Sequence, residues 1–224
     1  MNIVQSASSS SSAGDPATAT AALTGVTAGN AIVAIVKQHD TASRNYSVSD
    51  SVAGSYGAKI LEQIGASSQE IEAFVYYNHP GGSVTVTATV NIGAINFYLS
   101  IFELNGIGQL LAHDEGNDTS TGDANAYACP TGLTNATESI AVAVVCSAVD
   151  ATGYTAPTGY AKATGDSNGY GGAAAKYFAS GVSSERPAFT QTGTPRANTG
   201  MLLLFAASGG GVGGSRRVST CLVS

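Results

Sequence analysis

The sequence predicts an all-β protein, an antiparallel, jelly-roll-like β-sandwich with extended N- and C-terminal arms. Apolar residues alternate with threonines over 84–90, and apolar residues alternate with polar ones over 95–101. Successive side chains of a strand point to opposite faces, so this period of two indicates strands with one buried and one wetter face. The chain also has 28 glycines and only 11% charged residues, which is typical of short strands joined by tight turns.

The two alternating segments are separated only by a short turn at Asn91–Gly93. Strands this close along a chain commonly pair as a hairpin. We therefore expect residues 82–106 to form an antiparallel hairpin that sets the register of the sandwich.

The same patterns predict further strands in order along the chain. They are Asn2–Ala7, Ala17–Leu23, Asn30–Gln38, Asn45–Ser51, Tyr56–Ile64, Glu70–Tyr77, Ala126–Cys129, Glu138–Ser147, Thr158–Thr164, Ala173–Phe178 and Met201–Ala207. One segment has two interpretations, because Ser67–Glu70 fits the capping box that begins a helix while Glu70–Tyr77 alternates as a strand does.

Three of these segments are apolar on both faces: Ile32–Val36, Ile140–Cys146 and Met201–Ala207. Antiparallel sandwiches usually leave one face of each sheet in water. The outer faces of these strands should therefore be covered by arms, loops or other subunits.

Length and composition favour one sandwich domain over residues 17–207, with a Ser-rich arm at 1–16 and a Gly-rich tail at 208–224. An all-β domain can reach this size as a single unit. We detect no repeat of fixed period. Segments so poor in apolar residues do not order themselves, so we expect neighbouring subunits to hold both arms.

The net charge of −6 argues against a nucleic-acid partner, and no Lys or Arg lies between Lys59 and Lys162. Phosphate binding requires clustered basic residues. A partner of this acidic middle region should be neutral, basic or bridged by cations. The apolar runs are too short to span a membrane, and the N-terminus lacks the pattern of a secretory signal.

The three cysteines, Cys129, Cys146 and Cys221, are an odd number, which excludes a complete disulfide framework. We expect reduced thiols, with a bridge between Cys129 and Cys146 as the alternative.

Two glycine motifs resemble catalytic or cofactor signatures but lack the required context. Gly165–Gly169 matches G-x-S-x-G, and Gly209, Gly211 and Gly214 match G-x-G-x-x-G. The first needs a following helix, and the second needs a helix and another strand. We interpret them as a turn and a linker, and we expect no enzymatic activity, cofactor or resident metal.

His39, His79 and His113 fall in predicted loops, where solvated side chains are expected. The long polar loop at 113–125 contains Asp114–Asp118 and Asp123, which is the best candidate for calcium, since Ca²⁺ binds several oxygen ligands from one turn. A solvated acidic loop is the competing interpretation.

Glu103 breaks the alternation, because its register places the carboxylate on the core side. A buried carboxylate requires hydrogen bonds, so we expect Glu103 to accept backbone N–H groups of the turn at Asn105–Gly108. The ten tyrosines offer possible sugar-stacking platforms, although tyrosine is also common at strand edges and interfaces. They are Tyr46, Tyr56, Tyr76, Tyr77, Tyr98, Tyr127, Tyr154, Tyr160, Tyr170 and Tyr177.

A group of turn and core patterns within 17–207 resembles β-sandwich domains of tailed-phage virion proteins and accessory modules of bacterial surface proteins. They are Val26–Asn30 followed by IVAIV, Ser47–Ser51, Phe74–Asn78, Ser83–Thr87 and Phe102–Gly106. The resemblance implies a structural, homo-oligomeric virion component whose partners are its own copies and other virion proteins. The alternative is a carbohydrate-binding module with a glycan as partner.

Overall fold

The computed structural model describes residues 1–11, 16–39, 43–65, 68–91, 96–118, 125–129, 131–147, 153–166, 171–192 and 198–208. These residues form 19 strands in antiparallel sheets, which confirms the predicted all-β sandwich class. In this part of the chain, no helix has the length and apolar character needed to cross a membrane.

The first half of the chain contains nine strands. They are β1 (Asn2–Ser10), β2 (Ala17–Val26), β3 (Ala31–His39), β4 (Ser47–Asp50), β5 (Gly54–Ser55), β6 (Leu61–Ile64), β7 (Gln69–Tyr76), β8 (Gly82–Val90) and β9 (Phe97–Asn105). At 69–76 the strand interpretation is therefore confirmed over the helical one.

The second half contains ten strands. They are β10 (Ile107–Asp118), β11 (Asn125–Tyr127), β12 (Leu133–Asn135), β13 (Ser139–Ser147), β14 (Gly153–Thr155), β15 (Ala161–Lys162), β16 (Gly171–Phe178), β17 (Val182–Glu185), β18 (Ala188–Thr192) and β19 (Asn198–Ala207).

Strands β1 to β9 form a jelly roll. They pair as four nested antiparallel pairs, β1 with β9, β2 with β8, β3 with β7 and β4 with β5. These pairs are distributed over two sheets, sheet A in the order β1-β9-β3-β7-β6 and sheet B in the order β2-β8-β4-β5. Nested pairs wrapped across two facing sheets are the topology of a jelly roll.

Strands β10 to β19 repeat three of these four nested pairs, β10 with β19, β11 with β18 and β13 with β16. Sheet C has the order β10-β19-β13-β16-β15, and sheet D has the order β11-β18-β14. Sheet C matches sheet A strand for strand, with β10, β19, β13, β16 and β15 in the places of β1, β9, β3, β7 and β6. The corresponding strands come in the same order along the chain and across the sheet. Strands β12 and β17 form an additional two-stranded sheet. The chain is thus two jelly rolls in tandem.

The predicted hairpin over 82–106 is wrong, although both of its strands exist. β8 pairs with β2 and β4 in sheet B, whereas β9 pairs with β1 and β3 in sheet A. Alternation identifies a strand and its faces but not its partner. In a jelly roll, these successive strands cross from one sheet to the other.

The sheets stack in the order B, A, C, D, with an apolar layer between each neighbouring pair. In β3, Ile32, Ala34 and Val36 pack in the layer with sheet B, whereas Val33 and Ile35 pack in the layer with sheet C. The apolar strands β13 and β19 are likewise divided between the layers on the two sides of sheet C. The sequence predicts that both faces of these apolar strands are covered. Other sheets of the same chain provide that cover.

The sequence predicts one sandwich over residues 17–207, but the sheets in this range belong to two sandwiches. Gly106 joins the two, between β9 and β10. Gly106 has a φ of 74°, a conformation that favours glycine. Residues 2–10 of the predicted N-terminal arm form β1, which is hydrogen-bonded along β9. Of the predicted tail, 209–224 lie outside the described residues. The domain boundaries stay a prediction.

A buried ion pair joins the two sandwiches. Lys37 lies on the face of β3 toward sheet C, and its Nζ is 3.3 Å from both carboxylate oxygens of Asp166. Both side chains are 1% exposed. Asp166 Oδ2 also accepts the backbone N–H of Ala173 at 3.0 Å. A buried charge without its partner is strongly unfavourable, so this pair favours one placement of sheet A on sheet C.

We expect Lys37→Met to lower the free energy of unfolding by about 3–5 kcal/mol, because Asp166 then stays buried without its ammonium partner. Adding Asp166→Asn should recover much of this loss, since neither charge remains. Urea unfolding of the two single variants and the double variant measures the coupling.

Lys176→Met is the matched control, because its Nζ lies 3.6 Å from Glu185 in a partly exposed pair. Such pairs contribute about 0–1 kcal/mol. Additive losses in the double variant would show that Lys37 and Asp166 do not depend on each other.

Candidate functional site

Among the described residues, a dense group of ionisable side chains lies at the β6 edge of sheet A. We call Lys59, Glu62, Glu70 and Glu72 the carboxylate cluster. β6 pairs with β7 so that Glu62 is opposite Glu72 and Ile64 is opposite Glu70. Glu70 and Glu72 alternate with Ile71, so they point toward sheet B while Ile71 packs toward sheet C.

Hydrogen bonds between four segments of the chain hold this cluster in place. Lys59 Nζ lies 2.5 Å from Glu62 Oε1 and 2.5 Å from Glu72 Oε1. The Glu70 carboxylate accepts the Gln38 amide at 2.5 Å and the backbone N–H of Arg44 at 2.8 Å. The cluster therefore connects β3, β6, β7 and the segment before β4.

The environment shifts the pKa values of the three carboxyl groups in different directions. Burial raises the pKa of Glu72 to about 7, although Lys59 acts in the opposite direction. Burial also raises the pKa of Glu70. Burial acts to raise the pKa of Glu62 as well, but Lys59 outweighs it, so that pKa is lowered. One proton can therefore be gained here near neutral pH.

Three carboxylate oxygens of this cluster lie within 4.8 Å of one another, which is close enough to hold a cation. The Lys59 ammonium already lies between two of these carboxylates and supplies a compensating charge. We therefore assign the cluster a structural role, closing the end of the first jelly roll.

His79 is not the solvated loop residue that the sequence suggested, since it is 0% exposed. Its Nδ1 accepts the backbone N–H of Gly81 at 2.9 Å, so the proton lies on Nε2, which donates to Asp50 Oδ2 at 3.2 Å. Both ring nitrogens are engaged, and general base catalysis needs a free one. This Asp–His pair joins the β7–β8 connection to β4.

The predicted polar loop at 113–125 is wrong for 113–118, which belong to β10. His113 contacts Glu115 at 2.7 Å on one face of this strand, so His113 lies in a strand instead of a loop, with its side chain 32% exposed. Asp114 points to the other face and is 2% exposed. Asp114 and Glu115 therefore cannot converge on one calcium ion, while Asp123 lies outside the described residues.

Asp114 instead accepts hydrogen bonds within the second jelly roll. Its Oδ2 accepts the Cys129 thiol at 2.8 Å and also the Thr131 hydroxyl. Burial, followed by the nearby Asp114, raises the pKa of the Cys129 thiol. Cys129 and Cys146 are both free and buried, as the reduced-thiol interpretation predicts. Cys221 lies outside the described residues.

Glu103 is on the core side as predicted, but its predicted partners are wrong. Its carboxylate accepts the Gln5 amide at 2.6 Å, the Thr27 backbone N–H at 2.9 Å and the Asn30 amide at 2.5 Å. These donors come from β1 and the β2–β3 turn instead of the turn at 105–108. Glu103 thus fixes three neighbouring segments of the first jelly roll.

The tyrosines do not form an exposed platform among the described side chains. Tyr46, Tyr56, Tyr154 and Tyr160 are buried. Tyr177 is exposed, and its hydroxyl donates to Glu138 at 2.8 Å. The side chains of Tyr127 and Tyr170 lie outside the described set, as do residues 167–169 of G-x-S-x-G and the three glycines of G-x-G-x-x-G.

The outer face of sheet B is a regular array of small, uncharged side chains, which we call the hydroxyl face. Cross-strand pairing aligns them in rows across β2, β8 and β4. The first row is Thr18, Thr89 and Ser47, and the second is Thr20, Thr87 and Ser49. A third row contains Ala22 and Thr85, with Ser51 bonded to the Thr85 carbonyl at 3.1 Å.

No charged side chain lies on this face within β2, β4, β5 and β8, because their one charged residue, Asp50, points inward and is buried. The alternation of Thr85, Thr87 and Thr89 predicted the wetter face of β8. The contribution of β2 and β4 could not be predicted, because it depends on pairing between distant segments.

The carboxylate cluster was missed at the level of the sequence. The alternation over Glu70–Tyr77 places Glu70 and Glu72 on one face of a strand, and the polar face of such a strand usually meets water. The position of Lys59 beside them follows only from the pairing of β6 with β7.

We expect the wild-type protein to lose stability as the pH rises from about 5 to 8 because of Glu72. A carboxyl whose pKa is raised by folding contributes stability that is complete below its ordinary value of 4.5 and lost through its folded value of about 7. Glu72→Gln should remove this part of the pH dependence, roughly 1–3 kcal/mol. Thermal unfolding at several pH values measures it.

Glu62→Gln is the control with the opposite sign. The lowered pKa of Glu62 contributes stability above its ordinary value, and this stability is lost on acidification. The explanation fails if Glu72→Gln retains the full pH dependence of the wild type.

Comparison of the chain with protein-family models, with curated proteins and with solved structures finds no match. The resemblance to phage virion domains therefore stays a prediction.

Proposed function

We propose that this protein is a structural component of a phage virion, such as a decoration, head-fibre or tail-associated protein, and that it works by adhesion between subunits. Its partners are further copies of itself and other virion proteins. The observation on which the proposal depends is the hydroxyl face, a broad sheet surface without charge in a chain with a net charge of −6.

The distribution of charge supports this proposal. Soluble globular domains usually contain about 25% charged residues, whereas this chain contains 11%. Several of these few charges are also buried, namely Lys37, Asp50, Glu70, Glu72, Glu103 and Asp114. A surface so poor in charge favours close packing between copies, because little charge must be desolvated.

The tandem fold also supports a structural role. Two jelly rolls joined through a continuous apolar layer form a thick body in which both inner sheets are covered. Jelly rolls occur in viral capsid and lectin domains, and fold alone does not determine function. The buried His79–Asp50 pair and the contacts of Lys59 with Glu62 and Glu72 connect segments inside this body.

The two-sided apolar strands do not support adhesion, because the second sandwich and the outer sheets cover them within one chain. The acidic middle region likewise offers less to a basic partner, since Glu70, Glu72, Glu103 and Asp114 are internal. The alternative of a carbohydrate-binding module is not favoured by the buried tyrosines.

The proposal predicts that the protein co-purifies with virus particles. Particles from a source that encodes this sequence should be banded by density and analysed by quantitative mass spectrometry. We expect the protein at many copies per particle, because weak contacts need repetition to hold.

A decoration or fibre protein should also remain bound after mild washing. Recovery only in the particle-free fraction, or a pure protein that stays monomeric and binds a defined sugar on a glycan array, would contradict the proposal.

A further inference from the structure

The hydroxyl face has the geometry of a contact surface between identical molecules. Neighbouring strands lie about 4.8 Å apart and residues on one face repeat about every 6.7 Å, so the rows of β2, β8 and β4 form a two-dimensional grid. Thr87 lies at its centre, paired with Thr20 on one side and Ser49 on the other.

Hydroxyl groups suit contact with a copy of themselves. Each Ser or Thr hydroxyl both donates and accepts hydrogen bonds, so two identical faces related by a two-fold axis can pair without mismatched groups. The threonine methyl groups add apolar contact. A face with net charge would repel its own copy, and this face has none within its strands.

The charge of the rest of the molecule favours the same occupant. With a net charge of −6, two copies repel weakly at long range, and contact through the uncharged face brings no charged side chain of β2, β4, β5 or β8 into the interface. A nucleic acid would need basic residues here, and a strongly charged protein partner would find no opposite charge.

The size of the face limits the area that one contact can bury. Nine residues of β8 span about 30 Å, β2 and β8 together span about 10 Å, and β4 adds only four residues, which gives about 350 Å² per copy. The total of about 700 Å² is below the roughly 1,200–2,000 Å² of stable specific interfaces. A single contact should therefore be weak and reversible.

We propose that the outer face of sheet B is the surface through which two copies of this chain associate, with Thr20, Thr87 and Ser49 at the centre of the contact. This inference rests on the proposed adhesive function and names its surface and its partner. The association is isologous, because the same face contributes from both copies.

Sedimentation velocity of the purified protein over a wide concentration range tests this inference. We expect reversible dimers in the wild type. Thr87→Lys should weaken association about tenfold or more, because it places two ammonium groups in the contact, and tenfold corresponds to about 1.4 kcal/mol. Thr20→Lys is a second variant at the same centre.

Thr190→Lys is the matched control. Thr190 is exposed on β18 in outer sheet D, at the other end of the stack. We expect association of this variant to equal that of the wild type, and thermal unfolding should show that all three variants remain folded. Sodium chloride should have little effect on the wild type, because no charged pair lies in the contact.

The failures of the two proposals are distinguishable. Wild-type dimers that persist in both central variants, that are lost only in Thr190→Lys, or that dissociate steeply with salt would overturn this surface. The virion proposal would then lose this support and would be decided by the particle purification alone. A wild type that is monomeric at every concentration would overturn this inference, whether or not particle purification recovers the protein.

Discussion

The apolar contact between sheet A and sheet C is the interaction on which the rest of the structure depends. Each of these sheets has a further sheet on its other face, so strands such as β3 and β13 are buried on both sides. A polar group inside such a stack costs free energy unless it is paired. The Lys37–Asp166 ion pair crosses this contact and meets that requirement.

The same constraint explains where the carboxylates lie. Glu103, Asp114 and Glu72 all occupy buried strand positions, and each accepts hydrogen bonds from at least two donors. Their donors come from segments distant in sequence, so each carboxylate fixes the position of neighbouring strands. Asp114, which the sequence offers as a calcium ligand, therefore stabilises the fold in the same way as Glu103 and Glu72.

The sequence predicted the class of fold and most strands, because alternation and apolar runs are local signals. It could not predict that β8 and β9 lie in different sheets, since alternation contains no information about pairing. It also could not predict that the cover of Ile32–Val36 is a second jelly roll, because the two halves share topology without a fixed repeat. β10 was missed because His113–Asp118 is polar, yet its backbone pairs fully with β19. Of the hydroxyl face, only the threonines of β8 were visible in advance.

Because several ionisable groups are buried, the surface of the molecule carries fewer charges than the sequence suggests. Glu70, Glu72, Glu103 and Asp114 belong to the acidic stretch that dominates the middle of the sequence, and all four are internal. The outer face of sheet B is left with small hydroxyl side chains. Ser and Thr hydroxyls both donate and accept hydrogen bonds, so such a face can be hydrated in the monomer without charged groups. It also loses little electrostatic free energy when water is displaced, because no ion must be desolvated. A contact of this kind is weak in one pair of molecules and gains strength only when many copies are held close together, which is the condition inside an assembled particle.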